Sequence, residues 1–385
     1  MQDLRIMFNL IASVACEKPL TSETKNALTP EKLQKIFKKA KEYDLAHLIA
    51  EALDRAGALP DGEEREDILN ERRVAVMRVE QMLYESNRIT EVFEREKIPY
   101  LPLKGMILRN AYPETWMRTS CDIDVLVQEK DSIRAAEALC KAYGYEQQIL
   151  TDHDVSLFSE FGVHLELHHC LLEKKEGTER ERSTLSKAWE YVRLKDGQQY
   201  GYEMTDEMFY FYHVLHAAKH FRIGGCGIRP FLDLWLLNHR VQFDQAKRDA
   251  LLREGGLTEF AKAATELSEV WFSDAEESEL TKRMTEYVFR AGLYGGTRNR
   301  LAVNAVKKGK FRYLLSRVFL SHKQLATRYP VLKKWPILHP FCQVARWFSF
   351  LGGNRKKESL QELKTVTADT ENQKRVDWLF KALEL

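Results

Sequence analysis

Asp122 and Asp124 stand one residue apart in the segment RTSCDIDVLVQ (118–128), whose neighbouring positions are largely apolar. In an extended chain alternate side chains share a face, so both carboxylates point one way while Ile123, Val125 and Val127 point the other. Like charges at that spacing repel unless something positive lies between them. Two carboxylates supplemented by a third from a neighbouring strand make an all-oxygen site suited to Mg²⁺, which leaves positions open for water and substrate phosphates. Two such ions about 4 Å apart would stabilise both the attacking and the leaving oxygen of a phosphoryl transfer. Glu166 is the third carboxylate: in VHLELHH it shares a strand face with His164 and His168, with Leu165 and Leu167 opposite. Asp-x-Asp alone is more often just the pattern of an exposed strand face, so the surrounding elements carry weight.

Those elements read as follows. Thr29-Pro30 has the form of an N-cap followed by proline at the first helical position, and Leu33, Ile36, Phe37, Ala40, Leu48, Ile49 and Leu53 keep helical spacing until Gly57. A second helix is predicted over about Glu63 to Glu96. The period then changes: IPYLPLKG (98–105) reads as a short strand entering a helix and DIDVLV as a strand. Ser132–Tyr143 reads as a helix stopped by Gly144, and VSLFSEFGVHLELHH as two strands around Phe161-Gly162. From Thr205 the pattern is helical nearly to Leu385, with GGNRKK the only linker-like stretch. The expected fold is α+β, a small mixed sheet between large N- and C-terminal helical regions. Its expected divisions are 1–97 helical, 98–203 the α/β core, 204–295 a helical region completing a cleft, and 296–385 a basic helical region.

Bulk properties narrow the class. The chain has 385 residues, 44% hydrophobic and 30% charged, the make-up of an ordinary folded protein with room for more than one core. Six scattered cysteines without a CxxC pair, and an apolar N-terminal stretch without a basic flank, point to a reducing cytoplasm. No apolar run reaches the roughly 20 residues that span a bilayer.

The ordered series LPLKGMILRNAYPETWMRTSCDIDVLV, VHLELHH and FYHVLHAAKHFRIGGCGIRPFLDLWLL resembles the bacterial nucleotidyltransferase-like family of the polymerase-β nucleotidyltransferase superfamily, over roughly Tyr84 to His239. The resemblance implies transfer of a nucleoside monophosphate from an NTP to an acceptor hydroxyl, with two Mg²⁺ (Mn²⁺ as a substitute) held by Asp122, Asp124 and Glu166. It also implies that Glu166 helps deprotonate the acceptor. In that superfamily a Gly-Ser or Gly-Gly turn after the first strand holds the triphosphate. Here the turn resembles the family's own variant, Lys104-Gly105; the serine hydroxyl is missing, and the spacing to Asp122 is longer than usual.

Residue chemistry fills in the remaining positions. Gly105 opens a helix, whose free N–H groups would cradle a phosphate, and Lys104 adds a point charge. Arg118 could clamp a phosphate or pair with one of the carboxylates. His213, His216 and His220 fall at i, i+3 and i+7 on one helix; the first two have a spacing compatible with zinc, but no cysteine or carboxylate stands beside them in sequence, and the family resemblance implies a cleft-lining, hydrogen-bonded role instead. Arg229 and Asp233 would form an i,i+4 pair or reach the nucleotide, and Gly224, Gly225 and Gly227 before them suggest a loop able to approach a ligand. The expected nucleotide-binding set is thus Lys104, Gly105, Arg118, His168, His216, His220, Arg229 and Asp233. The acceptor, whether small molecule, sugar, protein or RNA, is not legible.

One further feature is the charge distribution. Thr297 to Lys357 holds fifteen lysines and arginines and no aspartate or glutamate, so the remainder of the chain carries −13 against a net +2. Aromatic residues are interleaved, including Tyr313, Phe319, Trp335, Phe341, Trp347, Phe348 and Phe350. A polyanion surface, an anionic membrane face and a basic face matched to the chain's own acidic remainder all fit this pattern. A non-catalytic nucleotide- or RNA-binding module working through this region is the alternative to an enzyme.

Overall fold

The computed structural model describes residues 2–150, 153–173, 176–292, 297–351 and 370–385. The linker-like GGNRKK lies outside the described residues. The chain is mostly helical, with a mixed five-stranded sheet and a separate two-stranded one, an α+β fold. It divides into two compact units: Met1–Lys219 with Gly227–Lys282, and His220–Cys226 with Arg283–Leu383.

In the first unit the sheet is built from β1 (Tyr100–Pro102), β2 (Asp122–Val127), β3 (Glu146–Leu150), β4 (Asp154–Phe158) and β5 (His164–His168). Their order is β1-β2-β5-β4-β3, and of these pairs only β2 with β5 is parallel. The alternation in the sequence decides which face is which. Ile123, Val125 and Val127 of β2, Leu165 and Leu167 of β5, and Val155 and Leu157 of β4 pack into one core. That core is closed by Met82, Ile89, Val92 and Phe93 of the helix Glu63–Arg95 and by Ala135, Ala136 and Leu139 of the helix Ser132–Tyr143. Each fully buried side chain of this kind contributes about 1.5–3 kcal/mol, which pins the register and turns the opposite face outward from the core. Gly144 ends the second of these helices at φ +65°, and Gly162 turns β4 into β5 at φ +76°, both backbone conformations that disfavour a side chain. A second sheet, β6 (Val192–Leu194) with β7 (Tyr202–Met204), had no clear alternation to announce it.

The helical run expected from Thr29 to Gly57 is two helices, Pro30–Glu42 and Ala46–Arg55. Thr29 caps the first as expected, its hydroxyl accepting from Lys32 N. The break falls at Asp44, whose φ of +53° no helix tolerates. Its carboxylate accepts from Thr119 Oγ1 (3.0 Å) and pairs with Arg229, long-range contacts that hydrophobic periodicity does not carry.

The second unit contains the helices Thr297–Lys308, Lys310–Val318, His322–Arg328, His339–Leu351 and Thr370–Ala382. Here Gly224, expected to leave room for a ligand, instead leaves room for the chain. A Cβ on it would stand 3.2 Å from the backbone N of Arg300, and Asn299 Nδ2 donates to its carbonyl. No helix among the described residues is long and apolar enough to cross a membrane.

Candidate active site

β2 and β5 lie side by side in register, Asp122 beside His164, Asp124 beside Glu166 and Leu126 beside His168. β4, on the other flank of β5, sets Ser156 beside Glu166 and Asp154 beside His168. The carboxylates and imidazoles therefore share the sheet face left over from the hydrophobic core, and the same alternation that buries Leu165 and Leu167 gathers them.

Asp124 finds its positive partners within the chain. Lys104 Nζ lies 2.7 Å from Asp124 Oδ1, and His168 Nε2 lies 2.8 Å from the same oxygen and 3.4 Å from Glu166 Oε2. The Asp124 side chain is only 2% exposed. Burial alone would raise its pKa, but the Lys104 charge and the His168 hydrogen bond outweigh that and hold the carboxyl below its ordinary value. Burial likewise works against a charged His168; its hydrogen bonds to Asp124 and Glu166 win and lift it to about 9. Glu166 is lowered chiefly by the His168 hydrogen bond. Asp122 goes the other way, raised by burial and by the neighbouring Asp124 charge. Among the described residues it has no ion-pair partner.

Lys104, read from the sequence as a charge aimed at phosphate, thus has its ammonium on Asp124. Its backbone sits at φ +39°, ψ −113°, a sparsely populated conformation costing on the order of 1–3 kcal/mol for a residue with a side chain. The strain buys the turn from β1 into the short helix Gly105–Leu108. Gly105 is packed against the loop before β2: a Cβ there would stand 3.1 Å from both Cβ and Oγ of Ser120.

That loop is tied down by two ionic networks. Arg118 grips Asp233 with both arms, Nε to Oδ1 at 2.8 Å and Nη2 to Oδ2 at 3.0 Å, and Tyr112 donates its hydroxyl to the same carboxylate at 2.8 Å. Arg118 therefore pairs with Asp233 rather than with Asp122 or Asp124. The i,i+4 pair expected between Arg229 and Asp233 does not form either, because Arg229 turns to Asp44 and to Thr119 Oγ1 (3.2 Å). Spacing on one helix permitted the local pair; partners on other elements took both ends of it.

The three histidines of the helix Asp206–Ile223 also part company. His213 is buried and donates from Nε2 to Pro230 O at 2.9 Å, His216 packs near the ring of Tyr212, and His220 falls in the second unit. None belongs to a group of metal-ligating atoms among the described residues. Sequence reasoning passed over Tyr212, whose buried hydroxyl is raised mainly by burial and also feels Lys104, Asp124, Asp122 and Glu166. Its position four residues before His216 was the available signal.

Ligand atoms of Asp122, His164 and Glu166 lie within 4.8 Å of one another, and so do those of Asp124, Glu166 and His168. These acidic and imidazole clusters could hold a divalent ion. The donor set fits one: three carboxylates on one face, two of them abreast, already draw an ammonium and an imidazolium onto a single oxygen. A family model described as an uncharacterised nucleotidyltransferase matches residues 29–273 of the chain. Comparison with curated proteins and with solved structures gives no match.

Proposed function

Because the chain belongs to the uncharacterised nucleotidyltransferase family, we propose that this face transfers a nucleoside monophosphate from an NTP to an acceptor hydroxyl, with Asp122, Asp124 and Glu166 holding two Mg²⁺ ions. The observation that supports this best is the parallel register that sets Asp124 abreast of Glu166, with Asp122 on the same face. When bound, the ions would neutralise the triphosphate and the charge developing on the entering and leaving oxygens. The acceptor oxygen forms its bond to the α-phosphorus as the bond to pyrophosphate breaks. Glu166, whose side chain is 27% exposed against 2% for Asp124, is the carboxylate open to an incoming hydroxyl and takes its proton. Asp124, Lys104 and His168 form the fixed charge framework behind it. Lys104-Gly105 and the Arg118-Thr119-Ser120 loop frame the phosphate end, with Arg118 and Asp233 acting as a brace for the start of β2.

The test is incubation with each labelled NTP, Mg²⁺ and a cell lysate, followed by size separation of whatever becomes labelled. Absence of label with every NTP, under conditions where the protein is folded, would count against transfer. Glu166→Gln should leave nucleotide affinity nearly unchanged and lower turnover by roughly 10²-fold or more. Wild-type turnover in that variant would remove Glu166 from the chemistry.

A further inference from the structure

In the second unit, the helix His339–Leu351 has one face held and one face bare. Cys342 is buried with Leu325, Ala326 and Leu332 in a small core. Gln343 Nε2 and Trp347 Nε1 both donate to Val318 O, at 2.6 and 2.9 Å. These contacts fix the rotation of the helix and turn Phe341, Val344 and Phe348, spaced i, i+3 and i+7, to solvent on one stripe. Phe341 is 72% exposed and Phe348 70%, and just before the helix Trp335 is 62% and Ile337 78% exposed. Large apolar side chains gathered at such exposure mark a surface that meets something. Lys333 and Lys334 are exposed beside Trp335, and the segment Thr297 to Lys357 holds no acidic residue.

We propose that this surface docks peripherally on an anionic phospholipid bilayer, laying Trp335, Ile337, Phe341 and Phe348 at the boundary between headgroups and acyl chains while the lysines meet lipid phosphates. Three features select this occupant. The exposed set includes Ile337 and Val344, which have no π face to stack on a base and gain only from hydrocarbon, so single-stranded nucleic acid would leave them unrewarded. A second copy would bring its own exposed Lys333 and Lys334 to the same face, like charge against like, which opposes self-pairing. The helix is short of a bilayer span, so it lies at the interface rather than crossing it.

The experiment is flotation of the full chain, without NTP, with vesicles of phosphatidylcholine alone or mixed with phosphatidylglycerol. The chain should float with the mixed vesicles, not the neutral ones, and less as salt shortens the Debye length from about 10 Å at 0.1 M to about 3 Å at 1 M. Phe341→Ser with Phe348→Ser, and separately Ile337→Asp, should lower partitioning by about tenfold or more with unchanged thermal midpoints, because these side chains pack against little. Lys333→Gln with Lys334→Gln should weaken binding and flatten its salt dependence. The proposal fails if nothing floats at low salt, or if the phenylalanine variant floats like the wild type. It also fails if that variant loses thermal stability or abolishes a self-association seen in the wild type, since the face would then be covered by protein. Binding of single-stranded RNA, equal in wild type and phenylalanine variant and without vesicle binding, overturns it in favour of nucleic acid. No transfer reaction enters the assay, so its outcome is independent of the proposed catalysis.

Discussion

Asp124→Asn should lower nucleotidyl transfer by about 10³-fold or more, the scale of removing a group that holds several kcal/mol of transition-state charge stabilisation. It should also destabilise the fold by about 3 kcal/mol, because Lys104 keeps its positive charge and loses the carboxylate beside it, while His168 loses one of the two acceptors that hold its proton. Lys104 is 24% exposed, so solvent recovers part of that loss and places the cost at the lower end of what breaking a buried pair entails. Asp122→Asn should lower transfer just as much and leave stability unchanged or higher. Its carboxyl is raised by burial and by Asp124, so the fold disfavours the charged form that prevails at neutral pH, and removing the charge relieves that conflict. A carboxyl raised in the fold stabilises below its unfolded value and loses that contribution as pH rises through the folded value. The advantage of Asp122→Asn should therefore be present at neutral pH and vanish in acid. Denaturant unfolding of both variants in chelator, at neutral and acid pH, separates the two expectations. Equal destabilisation by the two substitutions would refute the charge framework drawn around Asp124.

Asp233→Ala should cost about 3–5 kcal/mol of unfolding free energy, since it strips the bidentate carboxylate from a guanidinium whose side chain is 11% exposed, and leaves the Tyr112 hydroxyl without its acceptor. The effect should reach the active face, because Arg118 lies four residues before Asp122 in the loop that leads into β2. Replacing both partners, Arg118→Met with Asp233→Leu, should recover much of the loss, for no charge is then left buried and unpaired. Thermal or denaturant unfolding of the two single variants and the double variant closes the cycle. A cost below about 1 kcal/mol for Asp233→Ala would mean that the pair is solvated in the native ensemble, and its bracing role would have to be given up.

What the amino-acid sequence determined by itself is whatever depends on local period and local stop signals. Alternation in DIDVLV and HLELH set strand faces, and the buried residues Ile123, Val125, Leu165 and Leu167 are the apolar partners that alternation names. Tyr143-Gly144 and Phe161-Gly162 marked ends because a positive φ favours glycine. The family was legible for a related reason: its motifs lie on these regular elements, in order, and the family model spans them. The gathering of Asp122, Asp124 and Glu166 on one face follows from the same alternation once the two strands are neighbours, and their neighbouring is long-range. Tertiary structure alone decided which charges meet. Lys104 reached Asp124 across 20 residues, Arg118 reached Asp233 across 115, and Arg229 reached Asp44 across 185, overriding the local pair that helix spacing allowed. An i,i+4 pair on a surface gains only about 0.3–0.5 kcal/mol, whereas a guanidinium forced into a buried site must find a carboxylate or leave several kcal/mol uncompensated. Burial, which no local pattern of charged residues encodes, therefore selected the partners.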